Sequence, residues 1–210
     1  MPRAGKLTGN RSGRTRKAAS GKVAWLPTLL KGRPKGREDL RWQQRQGQPP
    51  ALWLVIVDAS ASTRRHQALA ETKGLLGELF DLAYRQRARL ALMTASGAAP
   101  RWQRHGLKAS AALQPWLHAL GAGGGTPLLA GIEQARCWLQ ARQKAHPQEP
   151  QRCLVFTDGR LQRWNAVAPL PCATLLVDME LAPVRIGRAR QLAEQLGAEY
   201  QHLQQFKLKQ

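Results

Sequence analysis

The chain has 210 residues, 43% of them hydrophobic, which suits one domain of ordinary size with an extension. Its 33 Lys and Arg against 13 Asp and Glu give a formal net charge of +20, a field that favours nucleic acid, an anionic membrane or an acidic protein surface without choosing among them. No apolar run approaches the ~20 residues of a membrane-spanning helix, and no apolar segment follows the basic N-terminus, so the expectation is a soluble, cytoplasmic protein without a secretory signal.

Residues 1–50 form a basic arm, with thirteen Lys and Arg against Glu38 and Asp39. Residues 1–22 are rich in Gly, Ser, Arg and Lys and cannot bury enough surface to offset their ordering entropy, so the arm is expected to be largely flexible. Within it, residues 23–31 make a short apolar island, split by Pro27, whose Trp25, Leu26, Leu29 and Leu30 are able to dock onto a folded domain. A polar, basic linker then runs to Pro49-Pro50.

Residues 51–210 alternate between strand-like and helix-like segments. Leu52–Asp58 is a continuous apolar run with β-branched residues, the pattern of a strand buried on both faces. Arg64–Arg87 has helical spacing, with Leu69, Thr72, Leu75, Leu76, Leu79, Leu82 and Ala83 on one face. Leu90–Ala95 reads as a second strand and Pro100–His105 as a short edge strand. Ala109–Leu120 reads as a helix, and the glycine loop Gly121–Gly125 leads into another that starts near Pro127 and runs to about Lys144. Cys153–Thr157 and Ala173–Asp178 are further strands, and Ile186–Leu196 is a helix stopped by Gly197. Such alternation predicts an α/β fold: a Rossmann-like, doubly wound, mostly parallel sheet with helices on both faces. In that architecture ligands bind at the carboxyl ends of the strands, where Asp58 and Asp158 both fall.

Cys137, Cys153 and Cys172 are far apart and lack CxxC spacing, so all three are read as buried, reduced thiols. The five His are scattered, which argues against a zinc enzyme. No GxSxG elbow occurs, and no catalytic residue is assigned.

Three loops carry oxygen donors. Asp58-Ala59-Ser60-Ala61-Ser62 offers a carboxylate and two hydroxyls at alternate positions; Gly125-Thr126-Pro127 offers a hydroxyl at a helix start; Thr157-Asp158-Gly159 ends a strand in a carboxylate. Each has a plain structural alternative: Ser and Ala are common after strands, an Asp at a strand end often caps a helix, and Thr126 suits an N-cap. Together, in this order at the strand ends, they suit a hard dication with near-octahedral oxygen coordination, foremost Mg²⁺, with Mn²⁺ or Ca²⁺ as substitutes.

The series DASAS, GGGTP and TDG resembles the metal-ion-dependent adhesion site of von Willebrand factor A domains. The resemblance implies that Asp58, Ser60 and Ser62 ligate directly, Thr126 directly or in alternation, and Asp158 directly or through water. GGGTPL at 123–128, TDGR at 157–160, LLVDME at 175–180 and the closing stretch from Gly187 to Tyr200 are similar to the C-terminal, integrin-like domain of magnesium chelatase D subunits and cobaltochelatase components. The stretch around Trp25 and Thr28-Leu29 also resembles the segment that precedes that domain. Ala61 and Thr63 replace the Gly and Met of the usual DxSGSM loop, and neither is a ligand position. No GxxxxGKS/T phosphate loop occurs, so ATP hydrolysis by that mechanism is not expected of this chain.

The resemblance implies a non-catalytic docking component of a magnesium or cobalt chelatase system. A Glu or Asp of an AAA+ motor or a large chelatase subunit would complete the metal site. Two other readings stand beside it: a scaffold module for another AAA+ partner, and a basic accessory protein that binds nucleic acid. The arm offers Trp25 and Trp42 but no run of interleaved aromatics for base stacking, which disfavours the last. Arg160 and Trp164, beside the Asp158 loop, are candidates for a partner contact.

Overall fold

The computed structural model describes residues 22–43, 49–59, 68–108, 127–181 and 186–206. The chain divides into two compact units, one within residues 10–49 and one built on residues 50–210.

The first unit is a small antiparallel pairing of β1 (Lys22–Val23) with β2 (Trp42–Gln43), which brackets a one-turn helix α1 (Trp25–Leu29) and a 3-10 turn (Arg37–Asp39). Asp39 anchors the turn, its carboxylate accepting from the backbone amides of Lys35 and Gly36 at 2.9 and 3.1 Å. Those two amide bonds hold its pKa below the usual carboxylate value.

The second unit carries a six-stranded sheet in the order β5-β4-β3-β6-β7-β8. Its strands are β3 (Leu52–Asp58), β4 (Arg89–Ala95), β5 (Arg101–Lys108), β6 (Gln151–Thr157), β7 (Ala173–Asp178) and β8 (Glu199–His202). All neighbours pair in parallel except β5, which lies antiparallel on β4 at the edge with two register shifts. Its helices among the described residues are α2 (Ala68–Arg85), α3 (Leu128–Ala145) and α4 (Arg188–Leu196).

The apolar run at the sheet's centre explains the layering. All seven residues of β3 are buried, and their side chains alternate between two cores. Leu52, Leu54 and Ile56 pack with α3 and α4, around Ile132, Trp138 and Leu192. Trp53, Val55 and Val57 pack with α2, around Leu76, Leu79 and Phe80. Thr72 is polar yet fully buried on α2, and its hydroxyl meets the Met179 sulfur at 2.9 Å. At the amino ends of the strands, the Glu149 carboxylate takes two bonds from Arg142, at 2.6 and 2.8 Å, and lies 3.6 Å from Arg89. This ion cluster lies at the end of the sheet opposite Asp58 and Asp158.

The predicted strands and helices on described residues appear with small shifts at their ends, and the edge strand runs three residues further, to Lys108. The predicted helix at 109–120 and the glycine loop lie outside the described residues. Strand β8 was not expected from its polar sequence EYQH. One cysteine departs from the reading. Cys153 is buried and Cys172 partly so, but Cys137 is exposed. It lies on the solvent side of α3, next to Trp138, which carries the burial there.

Candidate metal centre

Strands β3 and β6 are adjacent and parallel, and their carboxyl ends deliver Asp58 and Asp158 to the same edge of the sheet. Paired strands lie about 4.8 Å apart. Both aspartates are buried, Asp58 completely and Asp158 at 4% exposure.

The chain between them organises both carboxylates. Thr157 ends β6 fully buried, and its hydroxyl donates to Asp58 Oδ2 at 2.8 Å while accepting from the Gly159 amide at 3.0 Å. Asp158 Oδ1 accepts from the Arg160 amide at 3.1 Å. This tight turn needs Gly159, whose φ is +66° and whose Cα faces the start of α4 so closely that a Cβ would lie 2.6 Å from the Ala189 nitrogen.

The second oxygen of Asp158 is buried with no hydrogen-bond partner among the described residues. An orphaned buried carboxylate oxygen costs about 1–3 kcal/mol or more unless something compensates it. A bound cation would do so, and the donor set fits: carboxylate oxygens, with hydroxyls near in sequence, are hard ligands suited to Mg²⁺. Among the described residues no three His, Cys, Asp or Glu side chains converge into a cation site, so the pair needs hydroxyls or water to complete a shell. Ser60, Ser62 and Thr126, which the sequence nominates for that role, lie outside the described residues.

A second polar cluster borders the first at the ends of β7 and β8. Asp178 accepts from the Tyr200 hydroxyl at 2.7 Å and from the Glu180 amide at 2.9 Å. Glu180 is buried, with Oε2 accepting from the Ile186 amide and Oε1 lying 3.9 Å from the Arg160 guanidinium. His202 takes the Gln204 amide on Nδ1, so its Nε2 carries the proton donated to the Glu180 carbonyl at 3.0 Å. Arg160 is thus engaged with the protein's own Glu180. Trp164, the other candidate for a contact, is half-buried on the α3/α4 core and donates to Gln195 at 2.9 Å, which makes it a strut of the 158–172 loop.

Residues 53–160 match the model of the von Willebrand factor type A domain. The chain belongs to that family. The match begins in β3 and ends at Arg160, so it contains both aspartates. The chain is 30% identical over 189 residues to Rv2850c of Mycobacterium tuberculosis, covering 80% of this chain and 29% of that protein. It is 26% identical over 241 residues to the magnesium-chelatase 67 kDa subunit of Chlorobaculum tepidum, covering 91% and 38%. The chain therefore spans about a third of the length of these curated relatives. Among solved structures, an aerotolerance-related membrane protein of Bacteroides fragilis matches with a TM-score of 0.54 at 14% identity, over 71% of this chain and 90% of that one. A von Willebrand factor type A protein of Catenulispora acidiphila gives 0.52 at 16%, over 73% and 38%. At such identities these structures establish the shared fold alone. No helix among the described residues is long and apolar enough to cross a membrane.

Thr157, Asp178 and Glu180 support the two carboxylates without being marked as working residues by the sequence pattern. Thr157 carried a signal: a hydroxyl at the last buried position of a strand, next to a nominated ligand.

Proposed function

We propose that this von Willebrand A domain binds Mg²⁺ and uses it to dock a partner in a magnesium or cobalt chelatase-type AAA+ system, without catalysing a reaction itself. The buried Oδ2 of Asp158 carries the reading, because it is a carboxylate oxygen that no hydrogen bond satisfies among the described residues. Asp58, Ser60, Ser62, Thr126 and Asp158 would hold the ion. When bound, Mg²⁺ supplies a coordination position for a carboxylate from outside the chain. Thr157 fixes the orientation of Asp58, and the Arg160 amide fixes that of Asp158. Both carboxylates would then meet an ion without rearrangement of their own strands.

The similarity to magnesium-chelatase 67 kDa subunits supports the chelatase assignment over a general scaffold. It favours an AAA+ motor or a large chelatase subunit as the partner, and hence a cytoplasmic setting. The test is association of the full chain with an isolated motor or large subunit, with Mg²⁺ and with a chelator. The reading expects binding that requires Mg²⁺ and is lost in Asp158→Ala. Binding indifferent to both would refute metal-bridged docking, and no association with either subunit would refute the chelatase assignment.

A further inference from the structure

Helix α1 is folded with its polar side in and its apolar side out. Thr28 is 1% exposed; its hydroxyl donates to the Ala24 carbonyl at 2.8 Å and accepts from the Arg41 amide at 2.9 Å. These bonds pin the helix by its polar face. Trp25, Leu26, Leu29 and Leu30 are left 60%, 74%, 57% and 79% exposed. They form two i,i+4 pairs on adjoining rows, hence one stripe. Four of the six large hydrophobic side chains exposed among the described residues belong to this one turn and its cap, and a concentration of that kind marks an interaction surface.

The surroundings say what covers it. Lys31, Arg33, Lys35, Arg37 and Arg41 follow within twelve residues and are all exposed. Of the two acids in the stretch, Asp39 is engaged with backbone amides. An anionic surface with an apolar layer beneath it satisfies both features. Nucleic acid would pair with the cations but leave three leucines in water. A protein groove that receives a helix grips anchors over two turns or more, and α1 has one.

We propose that this arm binds anionic lipid surfaces, with Trp25, Leu26, Leu29 and Leu30 entering the headgroup boundary and the cations of residues 31–41 pairing with lipid phosphates and carboxylates. The arm is a peripheral anchor that would bring the von Willebrand A domain to a membrane without spanning it.

Co-sedimentation of the full chain with phosphatidylcholine vesicles, with and without about 30% phosphatidylserine, tests this. Binding is expected with the anionic vesicles, falling as salt rises. Leu26→Ser/Leu29→Ser should weaken it by about tenfold or more, with circular dichroism and thermal unfolding unchanged, because both side chains face solvent. Independently of that variant's folding, brominated lipid should quench a component of tryptophan emission that Trp25→Phe removes. Undiminished binding by a folded leucine variant overturns the proposal in favour of charge alone. Absence of vesicle binding also overturns it, whether short single-stranded RNA binds instead or the leucine variant shows a lower mass in solution because a second copy covered the stripe.

Discussion

Gly159 joins the Asp158 turn to helix α4, and replacing it with alanine tests how tightly that joint is packed. Two costs add. The residue has φ +66°, and an L-residue held in the left-handed region costs about 1–2 kcal/mol. The new Cβ would also lie 2.6 Å from the Ala189 nitrogen and 2.9 Å from its Cβ, and such overpacking costs about 1–3 kcal/mol. Gly197 separates the two terms. It has φ +61° at the C-cap of α4, and nothing lies within 4 Å of a Cβ placed there. Gly197→Ala should therefore lose the backbone term alone. Urea unfolding followed by tryptophan fluorescence should place Gly159→Ala about 1–3 kcal/mol below Gly197→Ala. Equal losses in the two variants would show that the turn is not wedged against α4.

The ion cluster at the other end of the sheet is a harsher test. Glu149→Gln leaves the Arg142 and Arg89 guanidinium groups buried without their shared carboxylate, and should cost about 3–5 kcal/mol in the same assay; a loss below about 1 kcal/mol would mean that the cluster is solvated. Thiol labelling should discriminate the cysteines. Cys137 is exposed, whereas burial pushes the Cys172 thiol up to about 11 and that of Cys153 well above its usual value. Iodoacetamide at mild alkaline pH should modify Cys137 first by a wide margin, and mass spectrometry showing comparable rates at all three sites would contradict this packing. His146 gives a pH signature. Burial, and then the nearby Arg142 charge, lower its pKa below 6.5. The unfolded chain therefore takes up the proton first, so this residue's contribution to stability is present above pH 6.5 and is lost as pH falls through the folded-state value. His146→Gln should flatten the stability profile over that window, and an unchanged slope would remove His146 as its source.

Much of the fold was legible because burial wrote it into the sequence. The β-branched apolar run LWLVIVD has the pattern of a strand covered on both faces, and β3 is that strand inside the sheet. The pattern on α2 announced its buried face down to Thr72, and Phe80 joins the same core from outside that pattern. Edge elements were harder. Strand β8 has one neighbour, so its residues need not be apolar, and EYQH spends Tyr200 and His202 on polar bonds to Asp178 and Glu180. The 158–172 loop has no regular structure to betray it; it is held by bonds distant in sequence, such as Trp164 to Gln195. Cys137 was misjudged because helix composition does not say which residue faces inward.

The nearness of Asp58 and Asp158 was legible, and the contacts that hold them were less so. The strand-end rule put Asp58 and Asp158 together, and adjacent parallel strands do bring them to one edge. What sequence could not convey was the support beneath them. The Thr157 hydroxyl bridges to Asp58 across 99 residues of chain, and the Asp178–Glu180 cluster meets the Asp158 turn through Arg160.

If the carboxylates at the ends of β3 and β6 hold a dication as proposed, the chain has a Mg²⁺ affinity that depends on Asp58. Isothermal titration of Mg²⁺ into the wild-type chain and into Asp58→Ala measures it most directly. One saturable site is expected in the wild type, and its loss in the variant. Unchanged Mg²⁺ affinity in Asp58→Ala, in a protein that retains its fold by circular dichroism, would contradict it.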